Sequence, residues 1–320
     1  MFRRFGAHVT IIIATLSVTN ATPTVSATRA RAAHAPAARG SAAPGHVRAS
    51  ARVVDVGHRG TRAYAPENTI AAFREGRARH ADLVEFDVQQ TKDGKLIIMH
   101  DATLARTTDV ERIFPRRSPW RVGDFTLKEI KRLDAGSWFA ARYAGERVPT
   151  LEQTLRAMDG TGAGLLLEVK NPGRYPGIGP RVIAALRAHA GWLAPGRLIV
   201  QSFDWGFIKR FHAGLPAVTT ALLGTPAARR LPAVRAYADL VNPAQGDVTK
   251  AYVARAHALG MRVYPWTVDD PAGMRRLIAD GVDGIISNRP DVLHRVIEAP
   301  SIRAGRAGPA GEPPVRRPSR

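Results

Sequence analysis

An α/β fold of the (β/α)8 TIM-barrel type, carrying one insertion, is what this sequence predicts, and three observations point to it. Eight short runs of β-branched and apolar residues recur through the middle of the chain, with helix-like stretches between most of them. The alternation fills about 250 residues, the usual size of such a barrel. Ionisable residues collect just after several of the runs, where a barrel keeps its active site.

The 320 residues include 47 Lys+Arg against 27 Asp+Glu, for a formal net charge of +20. A hydrophobic content of 45% excludes a wholly disordered chain. The lack of cysteine excludes disulfides, thiolate metal sites and a cysteine nucleophile.

The first segment, 1–27, has the grammar of a secretory signal peptide: Arg3 and Arg4, an apolar run from Val9 to Val18, and small residues at Val25-Ser26-Ala27. The run falls short of the ~20 residues a membrane span needs, so a secreted product is expected in preference to an anchored one. The paired arginines fit twin-arginine export only loosely. Residues 28–50 read as a disordered Ala/Arg/Pro linker and 299–320 as a disordered basic tail, so that the barrel occupies 51–298. Residues 1–50 and 301–320 supply +6 and +4 of the charge and the remainder keeps +10. Arginine outnumbers lysine 40 to 7, spread along the chain without a nucleic-acid-binding motif. No nucleic-acid partner is therefore expected, whereas an anionic membrane or wall polymer would attract so basic a secreted protein.

The first strand, Val53–Gly57, ends in His58-Arg59-Gly60. A helix over Glu67–Arg79 places Ile70, Phe73 and Gly76 on one face. The second strand, Leu83–Asp87, ends in Glu85-Phe86-Asp87 and leaves no room for a helix before His100. Asp93-Gly94 reads instead as a two-residue hairpin turn, which pairs Asp87 with His100 and returns His100-Asp101 to the barrel mouth. Residues 101–150 exceed what a barrel loop needs, and include a capped helix at Thr126/Glu129 and a helix start at Pro149-Thr150. This insertion at the C-terminal face is expected to cover the site and shape its pocket. The remaining strands are Gly164–Lys170, Leu198–Ser202, Val218–Leu222, Ala238–Val241, Met261–Trp266 and Asp283–Ser287. Helices are expected at Pro180–His189, Val253–Leu259 and Met274–Ala279, the last closed by Gly281. A doubly wound open sheet is the competing fold, but no glycine-rich dinucleotide turn follows the first strand.

The strand ends carry the chemistry. Glu85 and Asp87 point to the same side of a strand, roughly 6.8 Å apart along it. Two like charges inside a barrel are costly unless a cation joins them. Glu168, on the neighbouring strand, supplies a third carboxylate, and three oxygen ligands without a thiolate suit one hard divalent cation, Ca2+ or Mg2+. A salt-bridged surface pair with Arg59 or Lys170 is the plain structural reading of the same residues. His58 and His100 flank the carboxylates and suit proton transfer near neutral pH. His100 or Asp101 as a further metal ligand stays open. Arg59 and Lys170 offer a fork and a point charge to a phosphate, although Arg59 could equally pair with Glu67.

These residues also carry a resemblance. His58-Arg59-Gly60, Pro66-Glu67-Asn68-Thr69, Glu85-Phe86-Asp87, Thr91-Lys92-Asp93-Gly94, His100-Asp101, Glu168-Val169-Lys170, Trp266-Thr267-Val268 and Asp283-Gly284-Ile285-Ile286 lie in an order and spacing that resembles the glycerophosphodiester phosphodiesterases. The match runs from about Val53 to about Val296, and Gln201-Ser202-Phe203 also resembles the family pattern. The resemblance implies a barrel that hydrolyses glycerophosphodiesters to an alcohol and sn-glycerol 3-phosphate. It implies a metal on Glu85, Asp87 and Glu168, an acid/base pair in His58 and His100, and substrate contacts from Arg59, Lys170 and Trp266. Related barrel phospholipases, of the phosphatidylinositol phospholipase C or sphingomyelinase D kind, share the histidine pair. The long 101–150 insertion favours the glycerophosphodiester reading over them. Retention of both histidines and all three carboxylates argues against an inactive barrel that only binds phosphorylated ligands.

Overall fold

Period-two alternation along the strands builds the barrel. A computed structural model describes residues 52–300, so the expected signal peptide and linker, and most of the expected basic tail, lie outside the described residues. Among the described residues no helix is long and apolar enough to cross a membrane. The strands are β1 (Val54–Gly57), β2 (Leu83–Gln90), β3 (Leu96–Ile98), β4 (Gly164–Val169), β5 (Leu198–Ser202), β6 (Thr219–Leu223), β7 (Leu240–Asn242), β8 (Arg262–Val263) and β9 (Gly284–Ser287). All but β3 pair in parallel in the order β8-β7-β6-β5-β4-β2-β1-β9. The seam between β8 and β9 is spanned by backbone hydrogen bonds from Asp283 N to Val263 O (3.1 Å) and from Ile286 N to Pro265 O (2.9 Å). The eight parallel strands thus form a nearly closed barrel, the predicted fold.

Every second residue of a strand points inward. One inward residue from each of seven parallel strands, Val56, Leu83, Leu166, Ile199, Ala221, Leu240 and Ile286, together with Tyr264 directly after β8, forms a buried apolar plug. A larger apolar layer joins the outward strand residues to the helices. These are α1 (Ile70–Ala78), α2 (Val110–Ile113), α3 (Leu127–Ile130), α4 (Leu151–Met158), α5 (Ile178–Ala188), α6 (Trp205–Gly214), α7 (Leu231–Val234), α8 (Lys250–His257), α9 (Pro271–Ala279) and α10 (Pro290–Glu298). The first helix starts at Ile70, later than expected, because the Thr69 side chain accepts from Ala72 N and caps it there.

The hairpin β2–β3 forms, but one residue out of the expected register. Val88 pairs with Ile98, and Met99 N donates to Asp87 O (2.8 Å), so Asp87 faces Met99 and not His100. The turn holds three residues, Lys92, Asp93 and Gly94, inside the Thr91–Lys95 pair (Thr91 N to Lys95 O, 2.9 Å). Gly94 takes the left-handed conformation (φ 75°) that closes such a three-residue turn. Asp93 is fixed there by Thr91 Oγ1 (2.6 Å) and by Leu127 N of the insertion (2.9 Å).

The 101–150 insertion has an apolar core of its own, including Leu104, Val110, Val122, Phe125, Ile130, Leu133 and Val148, packed on Ile97 and Met99 of the hairpin. The expected capping box holds: Thr126 Oγ1 accepts from Glu129 N, and Glu129 Oε2 accepts from Thr126 N (2.8 Å). Thr150 with Gln153 opens α4 in the same way.

Candidate active site

Stepping two residues beyond the apolar plug along six of the strands gives His58, Glu85, Glu168, Gln201, Leu223 and Trp266, and all six line one cavity of about 90 Å³ at the barrel mouth. Arg59, His100, Lys170 and Phe203 complete much of its wall. The structure therefore brings together the expected acid/base, metal and substrate residues, with Asp87 directly behind the others.

Ligand oxygens of Glu85, Asp87 and Glu168 lie within 4.8 Å of one another, and all three residues are buried. Burial, then the charges of Asp87 and Glu168, push Glu85 well above the usual carboxylate range. Burial, then Asp87, pushes Glu168 up to about 8. Asp87 resists the same burial because Lys170, His100 and Arg59 hold it below its ordinary value. Glu168 Oε1 is buried without an aligned hydrogen-bond donor, although Lys170 Nζ lies 2.8 Å away. Carboxylates crowded this closely are what a hard cation would neutralise. The donor set therefore fits a divalent ion.

Arg59 pairs with carboxylates, as the plainer of its two readings has it. Its Nη1 pairs with Glu67 Oε1 at 2.7 Å, and its Nε lies 3.7 Å from Asp87 Oδ2. The residue adopts a left-handed backbone (φ 51°), which turns its N–H onto Glu85 Oε2 (2.7 Å). That conformation costs a non-glycine residue ~1–2 kcal/mol, and the ionic contacts offset it. Lys170 Nζ sits 3.7 Å from Asp87 Oδ1. The Trp266 and Phe203 rings meet edge to face with centroids 5.6 Å apart, and Phe203, 53% exposed, forms an aromatic lip.

The two histidines are backed differently. His58 Nδ1 lies 2.7 Å from Asn288 Oδ1, and burial followed by the charge of Arg59 lowers its pKa to about 4. His100 Nδ1 bonds Asp101 Oδ1 at 2.7 Å. Burial, the largest effect, holds His100 below its ordinary value, although Asp87 and Asp101 oppose it. Asp101 is held in place by His100 and Arg106 rather than joining the acidic cluster, so it is not a further ligand here.

Sequence reasoning missed the residues that hold these groups. Arg106 forks between Glu67 (2.7 Å) and Asp101 (2.6 Å). Asn68 Nδ2 donates to Asp87 Oδ2 (2.8 Å). Buried Gln89 Nε2 donates to the carbonyls of Met99 and Asp101 (both 2.7 Å), clamping the His100 segment. None of the cavity wall comes from 101–150, contrary to the expectation that the insertion shapes the pocket. Its polar arm, Asp101 and Arg106, instead reaches the site from behind, because its apolar residues are spent on its own core. Asn288 was findable: it stands two residues beyond Ile286, the step that yields His58 and Glu85.

A nearly closed parallel barrel with a buried acidic cluster and two histidines at its C-terminal mouth is the framework of a barrel enzyme. Comparison with known proteins gives the class. A sequence model of the glycerophosphoryl diester phosphodiesterase family matches residues 58–292. A glycerophosphodiester phosphodiesterase of Bacillus subtilis (strain 168) is 35% identical over 273 residues, covering 80% of this chain and 90% of that one. The glycerophosphodiester phosphodiesterase of Caldanaerobacter subterraneus is 35% identical over 76% of this chain and 96% of its own. Among solved structures, an Oleispira antarctica phosphodiesterase in complex with the product sn-glycerol-3-phosphate superposes with a TM-score of 0.70. It is 27% identical, covering 78% of this chain and 98% of that one. The chain belongs to the glycerophosphoryl diester phosphodiesterase family, and is thereby a phosphoric diester hydrolase.

Proposed function

We propose that this protein is a secreted phosphodiesterase that hydrolyses glycerophosphodiesters to an alcohol and sn-glycerol 3-phosphate. The observation that carries the reading is the meeting of Glu85, Asp87 and Glu168 with His58, His100, Arg59 and Lys170 at one barrel mouth. The three carboxylates would hold one Ca2+ or Mg2+, which when bound supplies Lewis-acid polarisation of a phosphate oxygen. Arg59 and Lys170 orient the phosphate and share its charge. His58 is neutral at pH 7 and accepts the proton of the nucleophile, either water, which gives sn-glycerol 3-phosphate directly, or the glycerol 2-hydroxyl, which gives a cyclic phosphate that water then opens to the same product. His100, whose protonated ring is stabilised by Asp101, gives its proton to the departing alkoxide as the phosphorus–oxygen bond breaks. Trp266 and the Phe203 lip would contact the glycerol or headgroup side.

The test is release of sn-glycerol 3-phosphate from glycerophosphocholine and glycerophosphoethanolamine, with chelator and with Ca2+ or Mg2+ restored. Turnover abolished by chelation and restored by one ion is expected. Absence of turnover on both diesters with either ion would overturn the substrate reading. Export is tested separately, by finding the chain in the medium or at the wall with its N-terminus processed near Ala27.

A further inference from the structure

The carbonyl ends of β8, β9 and β1 meet at the barrel seam, and there a chain of three side chains runs from Asp269 through Asn288 to His58. Asp269 Oδ1 accepts from Asn288 N (2.8 Å) and from Ser287 Oγ (3.2 Å). Asp269 Oδ2 accepts from Asn288 Nδ2 (2.6 Å). Asn288 Oδ1 lies 2.7 Å from His58 Nδ1. We propose that Asp269 and Asn288 are positioning residues that lock the His58 ring in one tautomer, with its proton on Nδ1 and its lone pair on Nε2.

The argument is one of hydrogen-bond polarity. An ionised carboxylate can only accept. Asp269 therefore compels the Asn288 amide to turn its NH2 inward to the carboxylate and its oxygen outward. That oxygen can only accept, so the ring nitrogen facing it must carry the hydrogen. An independent contact agrees: Arg59 Nε donates toward His58 Nε2 at 3.3 Å, which requires an acceptor there. A further bond, Thr61 Oγ1 to Asn288 O (3.1 Å), holds the asparagine backbone in register with the β1 loop. The backing of His100 is of the other kind. A carboxylate in direct contact stabilises a protonated ring, whereas an amide oxygen sets a tautomer without adding negative charge. The division of labour between the two histidines is thus written in the group standing behind each.

This inference rests on the base role proposed above for His58, and its test separates the two. In the full chain with 15N-labelled histidine, NMR at pH 7 is expected to show His58 protonated at Nδ1 and bare at Nε2. Asp269→Asn lets the Asn288 amide invert, because the new side chain can donate as well as accept. It should shift the His58 signal toward the Nε2-protonated tautomer and lower kcat by about 10²-fold or more, with KM within about twofold. Asp269→Glu keeps an acceptor-only group and should recover much of kcat and the original signal. Asn288→Leu, which removes the relay without inverting it, should mix the tautomers. An Nε2-protonated His58 in the unaltered protein would overturn the proposal. So would an Asp269→Asn variant that keeps full kcat, or one that loses kcat with its tautomer unchanged. If the unaltered protein shows the expected tautomer but no diester hydrolysis, the lock stands and the function proposed above fails.

Discussion

At the scale of single residues, two charged clusters divide the work of the site. In the mechanism proposed above, His100 backed by Asp101 donates a proton. His100→Ala should therefore slow turnover of a poor alkoxide leaving group by ~10²–10⁴-fold. The loss should be far smaller for a good leaving group such as p-nitrophenolate, and a comparison of kcat on the two diesters checks it. Glu67, behind the wall, is structural. Burial would raise it, but hydrogen bonds from Arg106 and the charge of Arg59 hold its pKa at about 2. A folded-state pKa below the ordinary 4.5 stabilises the fold above that pH, by ~3 kcal/mol here, and the contribution is lost as pH falls from about 4.5 through 2. Glu67→Gln should therefore be less stable than the unaltered chain at pH 7, with the gap closing in acid. Urea unfolding at pH 7, 4 and 2 measures it. Neither cluster can be read fully from sequence. His100 and Asp101 are neighbours, but Arg106 and Glu67 are 39 positions apart, and only the folded insertion brings them together.

At the scale of elements, the site depends on how closely α1 approaches the loop after β1. A Cβ on Gly76 would lie 2.4 Å from Gly60 O, and one on Gly57 would lie 2.2 Å from the same oxygen. Gly76→Ala would ordinarily strengthen a helix by about 1 kcal/mol. Here the sign should reverse, with a lower Tm and a weakened His58–Arg59 turn, because the clash is with backbone that carries the site. Thermal unfolding alongside kcat reads both. Strand and helix positions were largely legible, since period-two and helical patterns are local properties. Strand ends were legible for the same reason: Glu85, Asp87 and Glu168 follow from alternation alone. The hairpin register was not. It turned on whether Asp93-Gly94 closes a two- or a three-residue turn, and one of the bonds that hold Asp93 in the three-residue turn comes from Leu127 N, far along the chain.

For the whole molecule, the acidic cradle puts function and stability in tension. Three carboxylates buried within 4.8 Å of one another destabilise the empty fold and favour the cation-bound one. A saturating ion at 100 times its Kd adds ~2.7 kcal/mol. For a domain of this size that is a rise in Tm of roughly 5–10 °C. Calorimetry with chelator and with Ca2+ or Mg2+ should show it, and a Tm indifferent to both ions would count against the cradle. The increment should disappear in Glu168→Gln, which removes one ligand charge.

The seam has a bearing on time as well as on space. His58 is made early in synthesis and the amide that aims it is made 230 residues later. The strand just before this amide, β9, is also the one that pairs with β1 to bring the barrel round on itself. A nascent chain, or one clipped upstream of Asn288, holds both histidines and all three carboxylates yet has nothing to orient its base. If Asn288 aims His58 as proposed, full hydrolysis would begin only when the last strand arrives, and an unfinished copy would be a poor enzyme.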